Sequence, residues 1–167
     1  MAFRASSCAV TAPMLRPLNP ISPAILSVMK LILDTDVLVA GMRSPTGASA
    51  ELLRRARRLE VVLFASVPLF IEYEAICTRA EHQQSSGLSY SEIEVFLNGL
   101  AKLVIPVKVH FLWRPQLRDP ADEMVLEAAV NGQVDYLVTF NKRDFGATPE
   151  KFGIIVAKPS DVLWSFK

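Results

Sequence analysis

Apolar residues in this chain gather in short unbroken runs, separated by stretches where they recur every three or four positions. The runs cover residues 30–34, 61–65, 103–107 and 135–139, with a fifth at 153–157. Each reads as a strand buried on both faces, because a strand with one wet face alternates apolar and polar residues instead. The intervening periodicity predicts helices. One spans about residues 48–59, with Ala48, Leu52, Ala56 and Leu59 along it. A second runs from Val67 to about Ala80 behind a Ser66 cap, and a third from Ser89 or Ser91 to about Lys102. A fourth opens at Asp119-Pro120, runs to about Asn131 and ends on Gly132, and "PSDVLWSF" makes a short final one. The stretch "RSPTG" reads as a turn, "EHQQSSG" as the end of the second helix, and "RPQLRDP" and "FNKRDFGATPE" as loops.

Apolar strands alternating with helices define an α/β chain with a central parallel sheet, a three-layer α/β/α sandwich. In such sheets the ligand crevice lies beyond the carboxyl ends of the strands. Asp34, at the end of the first run, is therefore placed to reach that crevice.

A length of 167 residues suits one domain. No apolar run reaches the roughly 18 residues that span a membrane. A net charge of +1 neither favours nor excludes a nucleic-acid partner. Cys8 and Cys77 match no metal spacing and suggest free thiols in a reducing compartment; His82 and His110 have no ligand spacing either. No glycine-rich phosphate loop is present. Residues 1–28 hold four prolines and no acid, unlike the rest of the chain. Met29 is the expected start of the domain, which covers 29–167, with 1–28 a flexible or mis-assigned extension.

Acids stand at four places that this architecture brings to one end of the sheet: Asp34 with Asp36, Glu72 with Glu74, Asp119 with Asp122, and Asp144 beside Asn141. Each has an ordinary reading. Aspartate after a strand shapes turns, and Asp119 and Asp122 suit the first turn of a helix beginning "DPAD". Glu72 and Glu74 flank the apolar stripe Leu69, Phe70, Tyr73, Ile76 and Cys77 on opposite sides, about 160° apart, so periodicity does not choose between them. A chemical reason to gather acids is a hard cation. Carboxylates a few ångströms apart repel, and Mg²⁺, held by one or two carboxylates plus water and phosphate, removes that cost.

The order "LILDTDVLVAG", "SVPLFIEYEAICTR", "DPADEMVLEAAVNGQVDYLVTFNKRDF" resembles the PIN-domain family, and within it the VapC-like toxins of prokaryotic toxin–antitoxin pairs, from about Met29 onward. The resemblance implies a small α/β/α domain with Mg²⁺- or Mn²⁺-dependent endoribonuclease activity on RNA. It also implies a homodimer, an antitoxin partner and a cytoplasmic location. The family's first acid matches Asp34. Its second, six residues after Ser66, matches Glu72, and its third matches Asp122. Its fourth falls on Asn141, where many relatives carry aspartate, with Asp144 nearby as a substitute. Asp36 departs as well, since asparagine or serine is usual there; the extra carboxylate is a further candidate ligand. Asp119 and the hydroxyls of Thr35 and Thr139 are secondary candidates. Lys142 and Arg143 are placed to meet phosphate, whereas Arg54, Arg55, Arg57 and Arg58 read as a solvated face. Phe140 either packs in the core or stacks a base, and Trp113 and Trp164 read as packing residues.

Two other readings compete. Asp34-Thr35-Asp36 after a strand also suits a haloacid-dehalogenase-like phosphatase, with Asp34 as nucleophile and Asp36 as general acid. Those enzymes usually continue with Gly-Thr, and this chain has Val37-Leu38. Asn141 alternatively suits a catalytically weak module that binds RNA or a partner.

Overall fold

A computed structural model describes residues 28–112 and 114–166. All but the last residue of the expected 1–28 extension, and Trp113, lie outside the described residues.

The strands form where the apolar runs are. β1 (Met29–Leu33), β2 (Val61–Ser66), β3 (Val104–Val107), β4 (Tyr136–Val138) and β5 (Ile155–Ala157) make one sheet in the order β3-β2-β1-β4-β5, with every pair parallel. Parallel strands need crossovers, and the connections supply them: α1 (Thr35–Arg43), α2 (Ala48–Arg57), α3 (Val67–Cys77), α4 (Ala80–Ser86), α5 (Tyr90–Leu103), α6 (Glu123–Gly132), α7 (Lys142–Phe145), a 3₁₀ turn (Pro149–Phe152) and α8 (Pro159–Trp164). Helices flank the sheet, as an α/β/α sandwich requires. Leu31, Ile32, Leu63, Leu137 and Val138 are buried in the sheet, with Leu38, Leu52, Leu69, Ile93 and Ala128 packed on it from the helices.

The strand order fixes where chemistry can occur. From β1 the chain moves outward through β2 to β3, then returns to the other side of β1 for β4 and β5. The order therefore reverses between β1 and β4, and the crevice opens at their carboxyl ends. Those ends are Asp34 and Thr139.

Several local expectations change. Asp34 is not the last strand residue but the N-cap of α1, accepting the Thr35 N–H at 2.8 Å. α1 itself is unforeseen, because "TDVLVAGMR" buries six of its nine residues and extends the apolar run of β1 without an obvious stripe. "EHQQSSG" is not a frayed end: most of it belongs to α4, which buries no residue and so carries no apolar period. α3 ends at Cys77, short of the expected Ala80. Ser89, rather than Ser91, caps α5 in a reciprocal capping box with Glu92.

α6 begins at Glu123, later than Asp119-Pro120, because Asp119 commits its carboxylate to the Ala121 N–H in a local turn. It ends one residue later than expected, with Gln133 as a left-handed cap (φ 47°) and Gly132 still helical. Gly132 serves close packing: a Cβ there would meet Val107 Cγ2 at 3.0 Å. Two buried glutamates of α6 hold the preceding loop. Glu123 accepts the Gln116 and Leu117 N–H groups at 2.6 and 2.8 Å. Glu127 takes Arg114 bidentately at 2.7 and 2.9 Å.

Candidate active site

Asp34 is fixed on both oxygens. Oδ1 accepts the Thr35 N–H, and Oδ2 accepts the Thr139 hydroxyl at 2.7 Å. That hydroxyl in turn accepts the Asn141 N–H at 3.0 Å, so the β4 end and the following loop are tied to the β1 end across the switch point. Asp34 N–H itself donates to Val138 O at 2.9 Å, continuing the ladder into the site.

Glu72 reaches the same place from α3. Ser66 caps that helix by accepting the Leu69 N–H, and Pro68 suits its first turn. Tyr73, buried, donates its hydroxyl to Leu33 O at the end of β1. This anchor sets the rotation of α3, so that Glu72 accepts the Thr35 hydroxyl at 3.0 Å while Glu74 lies exposed. The ambiguity that periodicity left is thus resolved by one cross-element hydrogen bond.

Asp122 is the N-cap of α6 but makes no side-chain capping bond, and its Oδ2 is buried with no hydrogen-bond partner among the described residues. Asp36 accepts the Phe140 N–H at 3.2 Å through Oδ2, while its Oδ1 is buried and also unpartnered. Asn141 donates its side-chain amide to Asp144 Oδ2. All of these side chains, Asp34, Asp36, Glu72, Asp122, Asn141 and Asp144, line one cavity of about 840 Å³. Thr139 is buried behind it, and Asp119 is exposed and does not line it.

Burial raises the acids' affinity for protons. Asp122 is pushed up to about 6 by desolvation first and then by the charges of Asp34, Asp119, Asp144 and Glu72. Asp36 rises to about 6 by desolvation and by Asp34. Asp34 is raised by desolvation, against the lowering effect of its bonds from Thr139 and Thr35, with Glu72 and Asp144 adding to the rise. Without a cation the acid end is electrostatically uncompensated.

The donor set suits a hard divalent ion: oxygen only, with buried carboxylate oxygens at Asp36 and Asp122 that nothing else satisfies. Among the described residues no three His, Cys, Asp or Glu side chains close on one point as ligands of a single ion. Mg²⁺ is commonly held by one or two carboxylates and several waters. Asp34, Glu72, Asp122 and Asp36 are the residues from which those one or two carboxylates would come.

Lys142 and Arg143 do not line the cavity, and Lys142 pairs with Asp161 at 3.0 Å. Arg54 and Arg58 are partly exposed and engaged by Glu51 and Glu60, whereas Arg55 departs from the expected solvated face: it is mostly covered and lies 4.4 Å over the Phe166 ring. The far end of the cavity is instead lined by Arg43, Ser44, His82 and Ser85. Sequence reasoning missed these because they sit on or next to α1 and α4, two unforeseen helices; the expected loop "FNKRDFGATPE" likewise holds α7 and the start of the 3₁₀ turn. The spacing of Asp36, Val39, Ala40 and Arg43, one helical stripe, was the available signal.

Fold and cavity together define a doubly wound α/β/α protein with an acid-lined cleft at its topological switch point. The chain belongs to the PIN domain family, whose pattern it matches over residues 30–143. The match includes Asp34, Glu72, Asp122 and Asn141 and stops one residue short of Asp144. No curated protein matches the chain. PIN domains are generally nucleases and usually metal-dependent ribonucleases, which sets aside the dehalogenase-like alternative.

Proposed function

We propose that this chain is a divalent-metal-dependent endoribonuclease, with Asp34, Glu72 and Asp122 as the metal-holding acids and Asn141 and Asp144 completing the acid end. The observation that carries the reading is the convergence of these five side chains on one cavity from separate stretches of chain. A bound Mg²⁺ or Mn²⁺ there would activate water and neutralise phosphate charge.

The chain's own residues do the positioning. Thr139 and the Thr35 N–H hold the Asp34 carboxylate, and the Thr35 hydroxyl holds Glu72. The Asn141 side-chain amide orients Asp144, so the asparagine keeps a carboxylate at the fourth place through its neighbour. Hydrolysis joins a water oxygen to phosphorus and breaks the bond to the 3′-oxygen, which takes up a proton. The products carry a 5′-phosphate and a 3′-hydroxyl.

The finer reading is that of a toxin from a toxin–antitoxin pair: a cytoplasmic homodimer, neutralised by an antitoxin, with its domain running over 29–167. It rests on the sequence resemblance. No helix among the described residues is long and apolar enough to cross a membrane. The test is Mg²⁺-dependent cleavage of RNA by wild type and Asp34→Asn. The variant is expected to lose activity by roughly a hundredfold or more, since the site supplies several kcal/mol of charge stabilisation. Full activity in the variant removes Asp34 from the site. Asn141 supports a second reading, a module that binds RNA without cutting it; RNA binding by wild type with no turnover under Mg²⁺ or Mn²⁺ would select it.

A further inference from the structure

The cavity changes character along its length, and both of its long walls change in the same order. On α1, the stripe Asp36, Val39–Ala40, Arg43 runs from acid through apolar to cation. On the facing wall, Glu72 and Ile76 of α3 lead to His82 and Ser85 of α4. Asp122, Asn141 and Asp144 close the acid end. Arg43 is exposed in the last turn of α1, and no ion pair engages it among the described residues. His82 is mostly covered, its side chain 19% exposed, with the exposed carboxylate of Glu81 at 3.6 Å. About 13 Å of helix separates Asp34 from Arg43.

We propose that Arg43 and His82 form a separate phosphate subsite, which holds a neighbouring internucleotide phosphate of a single RNA strand while the scissile phosphate lies at the acids. This rests on the nuclease reading above and adds the path of the substrate to it. Arg43 offers a planar fork of donors matched to phosphate oxygens, and His82 offers a ring N–H in either protonation state. The Ser44 and Ser85 hydroxyls add donors beside them. The apolar middle formed by Val39, Ala40 and Ile76 suits a ribose and base between the two phosphates, and Phe140, 45% exposed at the acid end, presents a ring for stacking. The strand thus runs along α1 from its N-terminus towards α4.

The test separates binding from cutting. Affinity for a fluorescent single-stranded oligouridylate is measured as a function of salt in an Asp122→Asn background. That substitution removes a charge at a carboxylate with no side-chain capping bond, so the fold is kept. Adding Arg43→Ala is expected to weaken binding about tenfold and to flatten the logarithmic salt slope by about 0.7, the loss of one phosphate contact on a single strand. Arg43→Lys should recover part of the affinity, and His82→Ala should weaken binding without changing the salt slope as much. Lys151→Ala, exposed in the 3₁₀ turn and outside the cavity, should leave both readouts unchanged. Unchanged affinity and slope in Arg43→Ala overturn the subsite, whatever the cleavage assay shows. An Arg43 effect on binding in a protein that never cleaves RNA supports the subsite and overturns the nuclease reading instead.

Discussion

Asp122 stands where a helix-capping aspartate belongs, yet its side chain caps nothing, and one of its oxygens is buried alone. An unsatisfied buried oxygen destabilises a fold, so a residue of this kind points to a ligand. Asp122 and Asp36 are both pushed up to about 6, by desolvation first and neighbouring acids second. The folded protein therefore holds more protons than the unfolded chain between about pH 4 and 6, and the stability these groups lend at low pH is lost as pH rises through that window. In metal-free protein, Asp122→Asn should thus be more stable than wild type at neutral pH by about 1 kcal/mol, after discounting for solvent screening at this partly exposed group. That corresponds to roughly 2–4 °C in melting temperature. The gain should vanish near pH 4, and paired melts in EDTA at the two pH values test it. An Asp122→Asn protein no more stable than wild type at neutral pH would mean the carboxylate is satisfied in a way the geometry does not show. At this scale the sequence is most legible where a side chain has one role. Asp34, Glu72, Asp122, Asn141 and Asp144 are candidates on the sequence alone, and all line the cavity. Arg43 and His82 are not: the stripe that carries Arg43 lies in a helix hidden by its apolar residues, and His82 stands in a polar stretch with no periodic partner to mark it.

Elements differ in how plainly their sequence announces them. The five strands are legible to within a residue or two: β1, β2 and β4 are central and mainly apolar, and the edge strands β3 and β5, though only partly buried, keep short apolar runs. α5 is legible through its apolar period and its Ser89 cap. α1 is hidden because it is buried on too many sides, and α4 because it is buried on none. α6 is built differently: its first half buries two glutamates beside the apolar Val125 and Leu126. Glu123 and Glu127 are buried and tie residues 114–117 to the helix that carries Asp122. Glu127→Ala removes the acceptor of the Arg114 fork. It should lower stability by about 1–3 kcal/mol, with Arg114, half exposed, free to rehydrate. Denaturant melts measure the loss, and limited proteolysis should find faster cutting within 111–120. A variant as stable and as resistant as wild type would show that the loop is held by other contacts.

The whole molecule carries a charge of +1, and that sum hides a polarised cavity with acids at one end and Arg43 and His82 at the other. No composition statistic reports this, because it is produced by strand order: β1 lies between β2 and β4, so connections distant in sequence meet over its end. Divalent metal should therefore act on the entire fold. At a concentration a hundredfold above its dissociation constant, an ion bound only by the folded state contributes about 2.7 kcal/mol. Mn²⁺ or Mg²⁺ should raise the melting temperature by roughly 5–10 °C in wild type. Asp34→Asn should abolish most of that rise; an equal rise in the variant would place the ion elsewhere.

The central position of β1 also divides the protein in time. Amide hydrogens at the middle of the sheet, around buried Leu31–Leu33 and Leu137, are expected to exchange with solvent only through opening of the whole domain, and those of α4, with no buried residue, through local opening. Asp34 is rooted next to the buried end of β1 and His82 in a helix with no buried residue. On the proposed nuclease reading, a strand of RNA would be admitted and let go by local breathing at one wall while the acid wall keeps its shape.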